Sequence, residues 1–225
     1  MNKEEFVEEI KKLGIELTSN QLNQLNEYYK LLKEWNEKIN LTRIIEEKDV
    51  YLKHFYDSIT LCKAENLCQK MSLCDIGTGA GFPGIVLKIV FPTLSVTLVD
   101  ALQKRINFLD LVIKELKLDD IQTFHARCED FAKINREKYD IVTCRAVANL
   151  STLLNYAIPM VKEKGYFIPM KANCEEEIIN AKNLLKKLDC SIEKIEEFSL
   201  PVENSHRTII KIVKNSKTSL KYPHK

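Results

Sequence analysis

The chain has 225 residues, of which 45% are hydrophobic and 29% charged, and its 34 basic residues nearly balance its 32 acidic ones. This composition excludes a disordered, collagenous or coiled-coil chain and indicates one α/β domain with an appendage. Because no apolar stretch approaches the roughly 18 residues of a membrane span and the start is polar and acidic, we expect a cytoplasmic protein with no membrane partner. The seven cysteines include no C-x-x-C pair, so we expect reduced thiols and no metal site.

The charge is unevenly distributed along the chain. Residues 1–60 carry nine basic and twelve acidic side chains, whereas residues 211–225 carry five lysines and no acid. A basic tail on a nearly neutral body is a candidate contact with a polyanion, and a merely solvated tail is an equal alternative. We expect this end to be flexible after Ile212 or Val213.

The first third of the chain has the periodicity of amphipathic helices. Apolar side chains that recur every three or four residues predict a long helix over about 19–38, with Thr18 or Ser19 as its N-cap. A second helix is predicted over about 47–61. We place these helices in a cap, residues 1–62, which carries no catalytic motif and whose aromatic side chains are better explained as core than as surfaces for stacking bases.

From Met71 onward, short apolar runs alternate with helical patterns. Strands are predicted near 73–76, 95–99, 121–124, 139–144 and 166–170, and helices near 84–90, 104–117, 150–161 and 174–187. Alternation of this kind predicts right-handed crossovers and a mostly parallel sheet with helices on both faces. Two further apolar stretches, 192–198 and 208–213, predict an antiparallel hairpin at one sheet edge. The seven strands would form a Rossmann-like body over residues 63–213, followed by a basic tail over 214–225.

The most informative segment lies where the first strand of the body meets its first helix and reads Asp75-Ile76-Gly77-Thr78-Gly79-Ala80-Gly81-Phe82-Pro83-Gly84. Glycines at such a junction permit positive φ and a close approach of the backbone to a ligand at the helix N-terminus. A plain tight turn would not require four glycines within eight residues. The segment therefore predicts a nucleotide-like ligand at the carboxyl ends of the strands.

Two cofactor classes compete for this crevice. A G-x-G-x-x-G spacing begins at Gly79, and Asp100 follows it by 21 residues, which would suit a nicotinamide-dependent oxidoreductase. Asp75, however, would repel a pyrophosphate and attract the ammonium and sulfonium groups of S-adenosylmethionine, and Pro83 removes an N–H group that a phosphate would use. We therefore favour a class I S-adenosylmethionine-dependent methyltransferase and keep the oxidoreductase as an alternative.

Candidates for further cofactor contacts follow the second and third strands. Asp100 ends the second strand, where a carboxylate can accept hydrogen bonds from both ribose hydroxyls; the alternative is a cap for the next helix. Beyond the third strand, Glu129 or Asp130 could accept a hydrogen bond from the adenine amino group. That inference is weaker, because acids are common at helix starts.

These residues resemble the motifs of a known family over nearly the whole chain. The motifs are Trp35-Asn36, Asn40-Leu41-Thr42, His54-x-x-Asp57-Ser58, the glycine-rich segment, Asp100-x-x-x-Lys104-Arg105-x-x-Phe108-Leu109 and Arg145-Ala146-Val147-Ala148. They are similar to those of the glucose-inhibited division protein B family, bacterial methyltransferases that form 7-methylguanosine in 16S small-subunit ribosomal RNA. The chain differs from the family at His206, where members commonly carry an acid, and in a shorter basic tail.

The resemblance implies cofactor contacts at Gly77, Phe82, Cys128, Glu129 and Arg145. Together with the residues inferred above, the expected cofactor-binding set is Asp75, Gly77, Gly79, Gly81, Phe82, Asp100, Cys128, Glu129 and Arg145. Arg145 follows the fourth strand, and we expect it to position cofactor and base where they meet. No general base is expected, since guanine N7 has a free lone pair and loses no proton on methylation.

Two more cations lie at the same edge of the predicted sheet. Lys171 follows the fifth strand and Arg207 precedes the last, so both are expected to contact RNA phosphate; a local salt bridge is the alternative for Lys171. The expected partner is small-subunit ribosomal RNA, free or in a ribosomal particle, bound by a monomer. A non-catalytic RNA-binding module that keeps this fold is a further alternative.

Overall fold

The computed structural model describes residues 1–145 and 148–224, so Ala146, Val147 and Lys225 lie outside the described residues. The first two helices, α1 and α2, span Lys3–Lys12 and Ser19–Ile39. The helix predicted over about 19–38 corresponds to α2, whereas α1 is not predicted from the sequence. Each begins with a capping box, in which the N-cap side chain and the residue three positions later exchange hydrogen bonds with the backbone. Thr18 is the N-cap of α2, as the sequence predicts.

The third helical run, which we call α3, changes its hydrogen-bond pattern along its length. It is α-helical at Glu47–Asp49, π-helical at Val50–Tyr56, α-helical again at Asp57–Ile59 and 3-10 helical at Thr60–Lys63. π-Helical turns are rare in proteins, and many of those that occur lie at functional sites. The sequence predicts a helix here but not its change of pitch.

Seven strands form one sheet in the described part of the chain, in the order β3-β2-β1-β4-β5-β7-β6. They are β1 (Ser72–Ile76), β2 (Ser95–Asp100), β3 (Ile121–His125), β4 (Tyr139–Arg145), β5 (Val161–Lys171), β6 (Cys190–Ser199) and β7 (His206–Lys214). The first five are parallel, and β7 pairs antiparallel with both β5 and β6. The predicted sheet and its terminal hairpin are therefore confirmed.

In the described residues five α-helices follow strands of the body, and a 3-10 turn, Ile158–Met160, extends the fourth of them. They are α4 (Gly84–Val90), α5 (Gln103–Glu115), α6 (Cys128–Ile134), α7 (Leu150–Ala157) and α8 (Glu175–Lys187). The sequence analysis does not predict α6, although the acids Glu129 and Asp130 of its first turn are a signal for a helix start.

The sheet separates two hydrophobic clusters. Adjacent strand residues point to opposite faces, and accordingly Leu73 belongs to the cluster formed with the cap, α4 and α5, whereas Cys74 belongs to the cluster formed with α6, α7 and α8. The first cluster runs without a break from Phe6 and Leu25 of the cap to the strands. The cap packs directly on the body, and the boundary at residue 62 remains a prediction.

The end of the chain lies against the body. Lys214 is fully buried, where Nζ contacts Glu137 Oε1 at 3.1 Å and donates to the Val161 carbonyl at 2.8 Å. Farther on, the Arg136 guanidinium donates to the carbonyls of residues 218, 219 and 222, and the Asn155 side chain bonds both the N–H and the carbonyl of His224. The prediction of a flexible end after residue 213 is wrong for the described residues, because these backbone groups have fixed partners.

The seven cysteines are all unpaired thiols. Burial raises the pKa of six of them: Cys62, Cys74, Cys128, Cys144, Cys174 and Cys190. Cys68 is exposed and lies just before β1, at the amino ends of the parallel strands.

Among the described residues, none of the helices combines the length and the hydrophobicity that crossing a bilayer demands.

Candidate active site

The glycine-rich segment forms the turn from β1 into α4. Gly77, Gly79 and Gly81 have φ values of 66°, 62° and 100°, a region in which a Cβ is disfavoured. Gly84 has a different requirement, since an added Cβ would overlap the Leu98 side chain. Three of the glycines therefore serve the conformation of the loop, and the fourth serves its packing on β2.

Asp75 lies beneath this loop and is fully buried. Its Oδ2 accepts hydrogen bonds from Thr78 Oγ1 at 2.6 Å and from the Gly84 N–H at 2.9 Å. Its Oδ1 has no hydrogen-bond partner among the described residues. Burial raises the pKa of this carboxyl to about 7, although both hydrogen bonds act in the opposite direction. Asp75 thus holds the loop with one oxygen, and the cofactor contact expected for this residue remains a prediction.

Asp100 joins the loop to the start of α5. Its Oδ2 accepts from the Gly79 N–H at 2.9 Å, and its Oδ1 accepts from the Leu102 N–H at 3.0 Å. Arg105 Nη1 lies 3.2 Å from Oδ2 and 3.4 Å from Oδ1. Because Ile76 is in register with Val99, the loop and Asp100 begin at the same edge of the sheet. The carboxylate bonds the N–H of Leu102, the N-cap residue of α5, but does not cap that helix, and its ribose role remains a prediction.

A cavity of about 190 Å³ opens at this edge, and we call it the cofactor cavity. It is lined by Ile76, Gly77, Val99, Asp100, Ala101, Ala126, Cys128, Glu129, Ala148, Leu153 and Tyr156. Its apolar walls suit a flat purine, and Asp100 and Glu129 supply acceptors for ribose hydroxyls and an exocyclic amine. These acceptors fit the hydroxyl and amine donors of an adenosine, and Asp75, which does not line the cavity, remains a predicted contact for a cationic group. Burial raises the pKa of the Cys128 thiol to about 12, so this side chain packs as a neutral thiol.

A second, larger cavity of about 470 Å³ lies beyond the end of β4, and we call it the cationic pocket. It is lined by Ile44, Lys53, His54, Asp57, Arg145, Met170, Lys171, Ala172, Asn173, Glu177 and Arg207. The three cations predicted from the sequence, Arg145, Lys171 and Arg207, therefore meet here. The two cavities are linked through Ala148, which lines the cofactor cavity and whose carbonyl accepts a hydrogen bond from Lys171 of the cationic pocket.

Asp57 bridges the two arginines of the cationic pocket. Its Oδ2 lies 3.1 Å from Arg145 Nη1, and its Oδ1 lies 3.0 Å from Arg207 Nε. Arg145 Nη1 also donates to the Lys53 carbonyl at 2.8 Å. Only 6% of the Asp57 side chain is exposed, so this shared acid fixes both guanidinium groups in a largely dry environment. The sequence analysis did not assign a role to Asp57, although the residue stands in a family motif.

His54 completes this network as a neutral ring. Its Nδ1 lies 3.0 Å from Arg145 Nη2, and because an arginine can only donate, Nδ1 is the acceptor. Nε2 therefore carries the proton and donates to Thr42 Oγ1 at 3.0 Å. Burial, together with the charge of Arg145, lowers the pKa of His54 to about 3. His54 holds Arg145 rather than accepting a proton from a substrate.

Phe82 connects the glycine loop to this network. The His54 ring stacks on it at 4.3 Å with an interplanar angle of 13°, and the Arg145 guanidinium lies 5.3 Å from the ring centroid. Tyr28 of α2 packs on the rings of Phe82 and Phe55 and donates a hydrogen bond to the Ala80 carbonyl. The structure thus places Phe82 beside the cationic pocket, and the cofactor contact expected for it remains a prediction.

Lys171 lies in a local ion pair. Its Nζ contacts Glu177 Oε2 at 2.7 Å, and the same oxygen accepts from the Leu150 N–H at 2.6 Å. Lys171 and Glu177 therefore secure both Ala148 and the start of α7. The salt-bridge alternative weighed from the sequence is what the structure contains, and a contact with RNA phosphate remains a prediction.

The described residues contain no group of three His, Cys, Asp or Glu side chains placed to hold a metal ion.

Comparison with known proteins identifies relatives over the full chain. The model of the GidB family, described as rRNA small subunit methyltransferase G, matches residues 21–210. Curated proteins named ribosomal RNA small subunit methyltransferase G are 49% identical in Bacillus licheniformis and 50% identical in Bacillus cereus, each covering 100% of this chain and 95% of the relative. The protein of that name in Listeria monocytogenes is 46% identical, over 100% of this chain and 96% of its own length.

Solved structures show the same fold at low identity. A methyltransferase structure from Bacillus halodurans has a TM-score of 0.59 at 13% identity and covers 72% of this chain and all of its own. An S-adenosylmethionine-dependent methyltransferase from Aquifex aeolicus has a TM-score of 0.54 at 16% identity, over 80% of this chain and 97% of that one. These similarities confirm a class I, Rossmann-like methyltransferase fold.

Proposed function

The chain belongs to the GidB family of small-subunit ribosomal RNA methyltransferases, and from this premise we propose that it methylates N7 of one guanosine in 16S ribosomal RNA, with S-adenosylmethionine as the methyl donor. The observation that carries the proposal is the pair of unlike cavities at the carboxyl ends of the strands. One is an apolar slot with carboxylate acceptors, and the other is lined by fixed cations. This pair suits a cationic nucleoside on one side and a polyanion on the other.

The residues around the cofactor cavity would hold the donor. Asp100 would accept hydrogen bonds from the ribose hydroxyls, Glu129 would accept one from the adenine amino group, and Gly77 would let the backbone approach closely. Asp75, whose free oxygen is buried, would face positive charge. S-adenosylmethionine supplies a methyl group already activated on its sulfonium.

The residues around the cationic pocket would hold the base and its phosphate. N7 faces the deep, narrow major groove of A-form RNA, so the target guanosine has to lie in a loop or be extruded from a helix. Arg145 and Arg207, fixed by Asp57, would bind the RNA backbone and orient the base. Orientation of this kind is worth up to about 7–11 kcal/mol in well-ordered systems.

Proton transfer is not part of the proposed step. N7 is unprotonated near neutral pH and loses no proton when it is methylated, so a base is unnecessary. His54 fits this interpretation, because its pKa near 3 keeps it neutral and its acceptor nitrogen is bonded to Arg145. Each chain contains both cavities, which supports a monomer as the working unit. A ribosomal RNA substrate, free or in a particle, would place this activity in the cytoplasm.

The decisive experiment incubates the purified protein with methyl-labelled S-adenosylmethionine and either 16S transcript or small subunits from cells that lack the gene. We expect label in 7-methylguanosine at one position, with the Asp100→Ala variant as a control that loses donor binding. Label in another base, or in none, would contradict the proposal, and the latter result would favour a non-catalytic RNA-binding module. Titration with NAD(H) tests the oxidoreductase alternative, for which we expect no binding.

A further inference from the structure

Arg105 occupies the part of Asp100 that the ribose would need. A carboxylate offers about four acceptor positions on its two oxygens. Backbone N–H groups of Gly79 and Leu102 take one position on each oxygen of Asp100. Arg105 Nη1 spans the remaining side, at 3.2 Å from Oδ2 and 3.4 Å from Oδ1. A ribose diol that bonds both oxygens therefore competes with this guanidinium.

Of the three donors on Asp100, Arg105 is the one that can leave. Gly79 and Leu102 donate through backbone groups that belong to the glycine loop and to the start of α5. The Arg105 side chain is 33% exposed and reaches Asp100 through a single nitrogen at the long end of the hydrogen-bond range. Ion pairs that are open to solvent in this way shift an equilibrium by no more than about fivefold.

Arg105 adjoins an exposed cation that could meet RNA. Lys104 precedes it on α5, is exposed, and donates to the Ile39 carbonyl at 3.0 Å, at the end of α2. The exposed Arg43 follows Ile39 by four residues. A guanidinium released from Asp100 would therefore enter a surface that already presents positive charge, where an RNA phosphate is the natural partner.

We propose that Arg105 couples the two substrates by changing partners. Without the cofactor, Arg105 neutralises Asp100; when the ribose binds Asp100, the guanidinium is displaced and contacts an RNA phosphate. Cofactor binding then strengthens RNA binding, and RNA strengthens cofactor binding by the same factor, because linkage is reciprocal. This inference rests on the proposed function and on the ribose role of Asp100, and it makes Arg105 the residue that couples cofactor binding to RNA binding.

The test measures binding of 16S small-subunit RNA at several salt concentrations, with and without S-adenosylhomocysteine. This reaction product carries the ribose but has no net charge, so its binding does not change the net charge of the protein that the RNA meets. For the unmodified protein we expect RNA binding to tighten about two- to fivefold with the product, and the slope of log affinity against log salt to steepen by roughly 0.7–0.9, the contribution of one phosphate contact.

The Arg105→Ala variant should lose both effects. It should also bind S-adenosylhomocysteine alone about two- to fivefold more tightly than the unmodified protein, because the competing guanidinium is gone. Lys104→Ala is the matched control, since it removes the same charge one residue away. It should lower the salt slope equally with and without the product, and so preserve the coupling. Unchanged thermal unfolding would establish that both variants fold.

Two results would overturn the inference. Weaker binding of S-adenosylhomocysteine by Arg105→Ala would make Arg105 a direct cofactor ligand. If the salt slope of RNA binding by the unmodified protein were the same with and without the product, Arg105 would not change partners. Failure of the underlying assignments would look different. Product affinity unchanged in Asp100→Ala would remove the ribose role, and absence of methyl transfer despite intact coupling would count against the proposed function alone.

Discussion

The cofactor cavity and the cationic pocket differ in what holds their polar groups. At the cofactor cavity, Asp100 accepts hydrogen bonds from the backbone N–H groups of Gly79 and Leu102, and under the adjoining loop Asp75 accepts one from the N–H of Gly84. In the cationic pocket, side chains hold other side chains, and Asp57 bonds both Arg145 and Arg207. The first site is therefore set by backbone conformation, and the second by a network in which the loss of one member frees the others.

The largest expected effect breaks the backbone-held site. In Gly84→Ala the new Cβ would overlap the Leu98 side chain and lie 3.0 Å from Asp75 Oδ2. We expect the free energy of unfolding to fall by about 3 kcal/mol, because overpacking a core commonly costs 1–3 kcal/mol, and S-adenosylmethionine binding to be lost. Urea unfolding and calorimetric titration provide the measurements.

Gly79→Ala is the matched control for this prediction. No atom lies within 4 Å of an added Cβ at Gly79, so only its φ of +62° opposes the change. A left-handed residue costs about 1–2 kcal/mol. Equal losses in both variants would mean that packing on β2 does not set the loop.

The second prediction breaks the network of side chains. Asp57→Ala would leave Arg145 and Arg207 without their shared acid, and the turnover of RNA should fall about a hundredfold, as expected when positioning is lost. Cofactor affinity should stay within about twofold, since Asp57 lies outside the cofactor cavity. Asp49→Ala, which removes an acid of α3 that pairs with Lys53, is the control and should retain activity. A large loss of cofactor affinity in Asp57→Ala would contradict the separation of the two sites.

The third prediction concerns the buried carboxyl of Asp75 and the dependence of the free energy of unfolding on pH. The pKa of Asp75 is raised from 3.8 to about 7, so between these values the native state holds a proton that the unfolded chain has lost. Its stabilising contribution is complete below pH 4 and is lost as the pH rises through 7. Between pH 5 and pH 8 the free energy of unfolding should fall by about 3 kcal/mol from this group, at 1.36 kcal/mol for each pKa unit.

Asp75→Asn should remove that dependence while keeping an acceptor for Thr78 and Gly84. The measurement is the difference between the unfolding free energies at the two pH values, compared for the variant and the unmodified protein. Asp110→Asn, a change of an acid of α5 that bonds Thr123, controls for the loss of one charge. A variant that keeps the full pH dependence would show that another group is responsible.

The smallest expected effect concerns the end of the chain. Lys214 is buried against Glu137, so Lys217 and Lys221 are the exposed lysines of the described tail. Deleting residues 216–225 removes Lys217, Lys221 and Lys225 and should lower the salt slope of RNA binding by at most about 2.1–2.7. Cofactor affinity should fall about twofold, since His224 bonds Asn155, which precedes Tyr156 of the cofactor cavity. RNA and cofactor titrations would check both values, and an unchanged slope would make the tail structural only.

The local features of the molecule could be predicted from the sequence, whereas its tertiary contacts could not. Periodicity and turn residues were sufficient for the individual strands, for α2 and for the glycine-rich loop, because each depends on neighbours in the chain. The pairing of Asp57 with Arg207 spans 150 positions, and the contact of Arg145 with His54 spans 91. Such contacts have no local pattern, so the network of the cationic pocket became visible only in the folded chain.

The distribution of thiols makes the protein convenient for site-selective labelling. Thiol reagents attack the thiolate, which burial suppresses at six of the seven cysteines. Cys68 is exposed, and it lies at the opposite end of the parallel strands from the glycine loop. A fluorophore attached there at neutral pH would leave both cavities unobstructed, and the unmodified sequence would thereby provide its own reporter position for following RNA binding by anisotropy.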